Sequence, residues 1–180
     1  RMEIRREFKG IVGLKAVRAE LSKRNLVAMA TSRNTKGYDV VLLNPETNKA
    51  IGIQVKCSDK KEFPIFNSHW RDYRKKINEK VISPFVLVNI SDTEKPNYYV
   101  LTKKEMKNLL KKRIAEYKKN YQVRHKTTFE EMVKREKDTS RNANLWVLDL
   151  DDVENYKDNW NSITEQSWNQ RSRRTVFPPP

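Results

Sequence analysis

Only one cysteine, two histidines and four glycines occur among the 180 residues. The lone Cys57 excludes an internal disulfide framework and suits a reducing compartment. The Cys and His spacings of a zinc cluster are missing, as are a glycine-rich phosphate loop and a Gly-x-Ser-x-Gly elbow. So few glycines also exclude collagen-like and Gly-rich disordered chains. No apolar run approaches the roughly 20 residues of a membrane-spanning helix, and no signal-peptide pattern is present. The length needs only one domain, whose core can form without metal or disulfide staples. The expectation is a soluble, cytoplasmic α/β protein.

Positive charge is abundant. Lys and Arg total 38 against 23 Asp and Glu, a formal net charge of +15. Lysine and arginine gain affinity for polyanions by releasing counterions from phosphates, so nucleic acid is one expected partner. A lysine-rich surface that serves solubility alone is the other reading. The charge is segregated. Residues 1–36 hold ten basic and three acidic side chains (net +7), and residues 103–126 hold ten and two (net +8). Residues 149–165 hold one basic and six acidic side chains (net −5).

Apolar periodicity predicts a helix over residues 9–24, with Val12, Leu14, Val17 and Leu21 along one stripe. Strands are expected at Leu26–Thr31, Tyr38–Asn44 and Lys49–Cys57, the last two joined by the turn residues Pro45-Glu46-Thr47-Asn48. A helix over 70–80 and strands at Phe85–Ile90 and Asn97–Leu101 follow. Thr102 is placed to cap a basic helix from Lys103 to about Lys119. Further expectations are a helix at Phe129–Lys137, a strand at Leu145–Leu150, a short helix at Asp151–Tyr156 and a disordered tail over 171–180. The order of elements implies a mixed β-sheet flanked by helices, in one domain over 1–170 with its core at 9–119 and an extension at 120–170.

If Asn44 and Lys49 close the hairpin, Asp39 faces Gln54, and Lys56 lies diagonal to Asp39 on the same side. Val40, Leu42, Ile53, Val55 and Cys57 take the other side. Burying Asp and Lys in apolar strands costs free energy unless they pair with each other or with a ligand. Two readings are open: a structural Asp39–Lys56 ion pair, or a metal and phosphate site. In the second, Asp39 and Gln54 offer hard oxygen ligands to Mg²⁺, and Lys56 stabilises charge on phosphate or positions water. Arg33, Asn34 and Lys36, just ahead of Asp39, are candidate phosphate contacts. His69, His125, Cys57, Tyr98, Tyr99 and Trp146 read more simply as surface or core residues.

The pattern of Asp39, then Gln54-x-Lys56 on the next strand, resembles the PD-(D/E)xK nuclease superfamily. The run from Ala19-Glu20-Leu21 through Lys36-Gly37-Tyr38-Asp39 to Ile53-Gln54-Val55-Lys56 is similar to small prokaryotic proteins of that fold. The resemblance implies a restriction-endonuclease-like core and Mg²⁺-dependent (or Mn²⁺-dependent) hydrolysis of DNA. It implies Asp39 as the metal carboxylate, Gln54 as second ligand, a further ligand in the Val55 carbonyl, and Lys56 as the family lysine. Two departures stand out. Gln54 is neutral where the family usually has an acid, and Gly13 is followed by Leu14 where a glutamate is common. An alternative is therefore a catalytically reduced member that binds nucleic acid or serves as an accessory subunit. A third reading is a basic interaction protein using the 103–119 helix against an acidic partner. A homodimer is compatible with the sequence, which does not specify one.

Overall fold

The turn at Pro45–Asn48 shows how local chemistry sets the register. Asn44 Oδ1 accepts the amides of Glu46 (2.9 Å) and Thr47 (3.2 Å), and Asn48 takes a left-handed conformation with φ of 53°. Asn44 thereby faces Lys49, and strands β2 (Val40–Asn44) and β3 (Lys49–Ser58) pair antiparallel, with Val40 opposite Ile53. This is the expected register. The computed structural model describes residues 4–32, 37–66, 73–92, 94–128, 131 and 146–168.

The main sheet has five strands in the order β1-β2-β3-β5-β6. Strand β1 (Val27–Ala30) pairs antiparallel with β2. Strand β5 (Phe85–Asn89) pairs parallel with β3 and antiparallel with β6 (Asn97–Leu101). The sheet is mixed, as the element order implies. Every residue of β5 is buried, which explains its unbroken Phe-Val-Leu-Val run: a central strand covered on both sides needs no polar face.

On one face, helix α1 (Arg6–Ser22) sets Val17 and Leu21 against Val40, Leu42, Ile53, Val86, Val88 and Val100. Trp160 and Ile163, before and within helix α5 (Asn161–Trp168), complete that layer. On the other face, helix α2 (Tyr73–Lys80) contributes Ile77, and helix α3 (Lys103–His125) contributes Met106, Leu109, Leu110 and Ile114. They cover Phe85, Leu87, Tyr99 and Leu101. A two-stranded ribbon of β4 (Glu62–Pro64) and β7 (Val147–Asp149) adds Phe63, Leu148 and the neighbouring Trp146. Helix α4 (Leu150–Val153) and a 3₁₀ turn (Glu154–Tyr156) follow β7.

Helix α3 starts where expected. The Thr102 hydroxyl accepts from the Glu105 amide (3.2 Å) and the Glu105 carboxylate accepts from the Thr102 amide (2.7 Å), a closed capping box. The helix runs one and a half turns past the expected end, to His125. The expected last strand pairs with β4 instead of joining the main sheet. The expected helix at Phe129–Lys137 and the tail at 171–180 lie outside the described residues, Glu131 excepted. Among the described residues no helix is long and apolar enough to cross a membrane.

Gly13 fixes how closely α1 approaches the sheet. A Cβ there would fall 2.5 Å from Cys57 Cβ on β3, far inside contact distance. The helix must then lift from the sheet or Cys57 must shift. Gly13→Ala is expected to destabilise the protein by about 1–3 kcal/mol, the usual penalty for overpacking. Urea unfolding measures it, and a midpoint equal to wild type would show that α1 is not so tightly seated.

Candidate active site

Strand β3 is twice as long as either neighbour and changes partner midway. Residues 49–53 pair with β2, and residues 54–58 pair with β5. Past the end of β2, the Val55 amide has no backbone acceptor on that side. Asp39 Oδ2 fills the place, accepting Val55 N–H at 2.8 Å and the Gln54 Nε2 amide at 2.7 Å. Two donors from one strand orient the carboxylate and leave Oδ1 outside both bonds. In a strand, one residue's N–H and C=O project to the same side, so the Val55 carbonyl also faces the Asp39 side of β3.

Backbone contacts clamp the segment that carries Asp39. Its amide donates to the Ile53 carbonyl (2.8 Å), and its carbonyl accepts from Thr31 N (3.0 Å). Thr31 Oγ1 donates to the Tyr38 carbonyl (3.0 Å), and Ser83 Oγ to the Gly37 carbonyl (2.8 Å). Tyr38 lies on Gly52, where a Cβ would meet the ring at 2.6 Å. Gly37 adopts φ of +97°, against the Ile82 side chain, a conformation that L side chains rarely take. These contacts hold Asp39 at the edge of the sheet.

Gln54 and Lys56 alternate onto the same face as Phe85 and Leu87, their partners on β5. Asp39 and Gln54 meet at 2.7 Å and Lys56 follows on the same face, but the ion pair, one of the two open readings, is not formed: among the described residues no carboxylate lies within ion-pair distance of Lys56. Lys56 is half-buried. Burial lowers its pKa below the ordinary 10.5, the Asp39 charge works against that, and Lys80 at the end of α2 adds to it. Lys80 itself sits 5.5 Å from the centre of the Phe66 ring.

Other candidates fall elsewhere. Arg33, Asn34, Lys36 and His69 lie outside the described residues. Cys57 packs on the α1 side, where burial pushes its thiol up to about 11, out of the nucleophilic range. Glu20 is engaged by Arg24 and Lys23. Leu14 packs with the α1-side core. No cluster of three His, Cys, Asp or Glu able to hold a metal occurs among the described residues. The oxygens on offer are Asp39 Oδ1, the Val55 carbonyl and Gln54 Oε1. The last turns toward a cation at Asp39 only if the amide rotates, because Nε2 now faces the carboxylate. Sequence reasoning missed Lys80 and Ser83, which reach the site from the crossover between β3 and β5 and carry no local signal.

No family model, no curated protein and no solved structure matches the chain. Its chemistry rests on these side chains alone.

A half-buried ammonium without a carboxylate in contact opposes folding. Since the folded state lowers the pKa of Lys56, it binds fewer protons than the unfolded state as pH approaches 10.5. The cost is therefore full at neutral pH and fades as pH rises through the lowered value. Lys56→Met is expected to raise the melting temperature at neutral pH by roughly 2–4 °C, equivalent to about 1 kcal/mol at this size. The gap to wild type should narrow toward pH 10.5. A neutral-pH melting point at or below wild type would contradict it.

Proposed function

We propose that the chain is a Mg²⁺-dependent DNA endonuclease of the PD-(D/E)xK class, its sheet and helices forming that class's restriction-endonuclease-like core. One observation carries the reading. Asp39 and Gln54 meet where β3 outruns β2, Lys56 follows on the same face, and among the described residues no ion pair engages Lys56.

The donor set fits one hard cation. Mg²⁺ binds few protein groups, keeps several waters and commonly completes its shell with substrate phosphate. Asp39 Oδ1 and the Val55 carbonyl would hold it, with Gln54 Oε1 added when the amide turns over. Bound there, the ion supplies Lewis acidity toward phosphate and water. Asp39, fixed by its two donors, orients this group without further reorganisation. Lys56 places positive charge where negative charge develops on the phosphate. Its lowered pKa brings it nearer the range useful for moving a proton to or from the reacting oxygens.

A second reading also has an observation behind it. Asp39 is the one acidic member of the site and Leu14 brings no acid from α1, which favours a protein that holds nucleic acid without cutting it.

Purified protein incubated with plasmid and single-stranded DNA in Mg²⁺ or Mn²⁺ tests both. Wild type should cleave, and Asp39→Ala and Lys56→Ala should each lose about 10²–10³-fold, typical of removing a charge-stabilising group. Equal cleavage by all three would sink the assignment. Salt-sensitive binding without cleavage would favour the second reading. Gln54→Glu gives a readout besides activity. Without metal it sets two carboxylates against each other, so its melting point should fall below wild type. Mg²⁺ should then raise it more than it raises wild type, and an unchanged response to Mg²⁺ would remove Gln54 from the cation site.

A further inference from the structure

Where residues 49–53 of β3 have no β5 beside them, a groove of about 1040 Å³ opens between the hairpin and the first turns of α3. Lys49 and Ala50 form one wall, and Lys103, Lys104, Lys107 and Lys111 the other. Pro84 lines it as well, and the Pro84 carbonyl accepts the Gln54 amide at 2.9 Å, so the groove abuts the strand that carries the candidate site.

Its electrostatics are one-sided. Among the described residues the single acid in its walls is Glu105, which is turned into the helix cap and accepts from both the amide and the hydroxyl of Thr102 at 2.7 Å. Three cations elsewhere on these helices stand beside acids: Lys112 is 3.8 Å from Glu116, Arg113 3.0 Å from Asp149, and Lys75 3.8 Å from Glu79. No ion pair reaches Lys103, Lys104, Lys107 or Lys111 among the described residues.

Lys103, Lys107 and Lys111 follow one another at four-residue spacing along one line of the helix. Like charges so placed destabilise a helix by about 0.2–0.5 kcal/mol per pair. Lys107 is half-buried and held by Asn78 Oδ1 at 3.1 Å, while burial and its two lysine neighbours lower its pKa. The positive line also continues. Lys111 lines a second groove of about 530 Å³ between α2 and α3, with Arg74, Lys118 and Tyr73. Arg74 and Lys118 lie 5.7 and 5.0 Å from the Tyr73 ring centre.

We propose that the α3 groove is a docking track for the phosphodiester backbone of nucleic acid, set apart from the Asp39 site, with Lys103, Lys104, Lys107 and Lys111 contacting successive phosphates. Lysines four residues apart on a helix rise by about 6 Å, a step of the same order as successive phosphates on one strand. A ladder of mutually repelling, unpaired cations is relieved by such a polyanion, which gains by counterion release. The proposal rests on the nucleic-acid half of the functional reading and not on cleavage.

Fluorescence anisotropy with a short fluorescein-labelled DNA duplex in EDTA tests it, with no metal to permit cutting. Lys103→Ser/Lys104→Ser/Lys107→Ser/Lys111→Ser should weaken binding at least about tenfold and flatten the log K against log salt slope by roughly 3–4, near 0.9 per phosphate contact. A control loses the same charge at lysines that stand beside glutamates: Lys23→Ser/Lys75→Ser/Lys112→Ser/Lys157→Ser. It should change affinity less than about threefold. If the groove variant fails to fold, Lys103→Ser and Lys111→Ser alone, both at exposed positions, should each flatten the slope by about 0.9. Groove variants that bind like wild type overturn the proposal, as do equal losses in the control. Displacement of the duplex by polyglutamate at equal charge overturns it in favour of an acidic polypeptide. The assay contains no metal and reads binding alone, so a failed cleavage assay leaves this result readable on its own.

Discussion

Strand β3 has ten residues, and neither neighbour matches its length. β2 accompanies its first half and β5 its second. A strand that exchanges partners leaves two places where its edge has no strand beside it. In one, the unmatched Val55 amide is satisfied by the Asp39 carboxylate, and that hydrogen bond orients the one acidic group of the candidate site. In the other, the hairpin overhangs β5 and faces the start of α3 across an open groove. Both follow from the rule that a strand's backbone groups must find partners or face solvent. The rest of the fold supports this offset. α1 closes on the β3 backbone at Gly13, and the loop before β5 ties Ser83 to Gly37 and Pro84 to Gln54.

The two unmatched edges share an electrostatic character. Lys56 lies at one and Lys107 at the other, and burial comes first among the causes that lower each pKa. Among the described residues neither has a carboxylate in contact, while Glu79 and Glu116 stand beside the exposed Lys75 and Lys112. Elsewhere burial and pairing go together: Lys9, the least exposed of the ion-paired cations among the described residues, is matched by Asp59 at 2.7 Å. Among those same residues, Lys56 and the lysines at the start of α3 go without such a partner, and those of α3 line the open groove.

Much of this was legible because the hairpin is local. Pro45–Asn48 is turn chemistry, and once Asn44 faces Lys49, strand alternation places Asp39, Gln54 and Lys56 on one side without reference to the rest of the chain. The cap at Thr102 and Glu105 was legible for the same reason. What escaped depends on distant partners. β4 has three residues, one of them proline, and exists because β7 lies beside it some eighty positions later. α5 is polar apart from Ile163 and a few neighbours, and is seated by burial against the sheet. Lys80 and Ser83 approach the site only because β5 returns parallel to β3 and brings the end of the crossover back to Gly37. The pairing of charges at Asp39 and Lys56 was also not decided by sequence. Diagonal positions allow contact, and only the side-chain paths show that Asp39 turns to Val55 and Gln54 instead.

Gln54 connects these observations. Its Nε2 donates to Asp39, so the carboxylate has a partner even without a cation. A glutamate in its place would bring two like charges to hydrogen-bonding distance and would need a cation between them. Glutamine therefore gives a site that is stable and ordered when empty, in exchange for one ligand charge. Under the proposed reading, such a site binds Mg²⁺ weakly until phosphate oxygens join the shell. Substrate must then be held by contacts that do not depend on the metal. A row of lysines on a separate element, beside the same strand and linked to it through Pro84, meets that requirement. A second carboxylate at position 54 would lessen the need for it. On that reading the neutral Gln54 and the lysines of α3 belong to one arrangement, in which phosphate binding would come before metal binding.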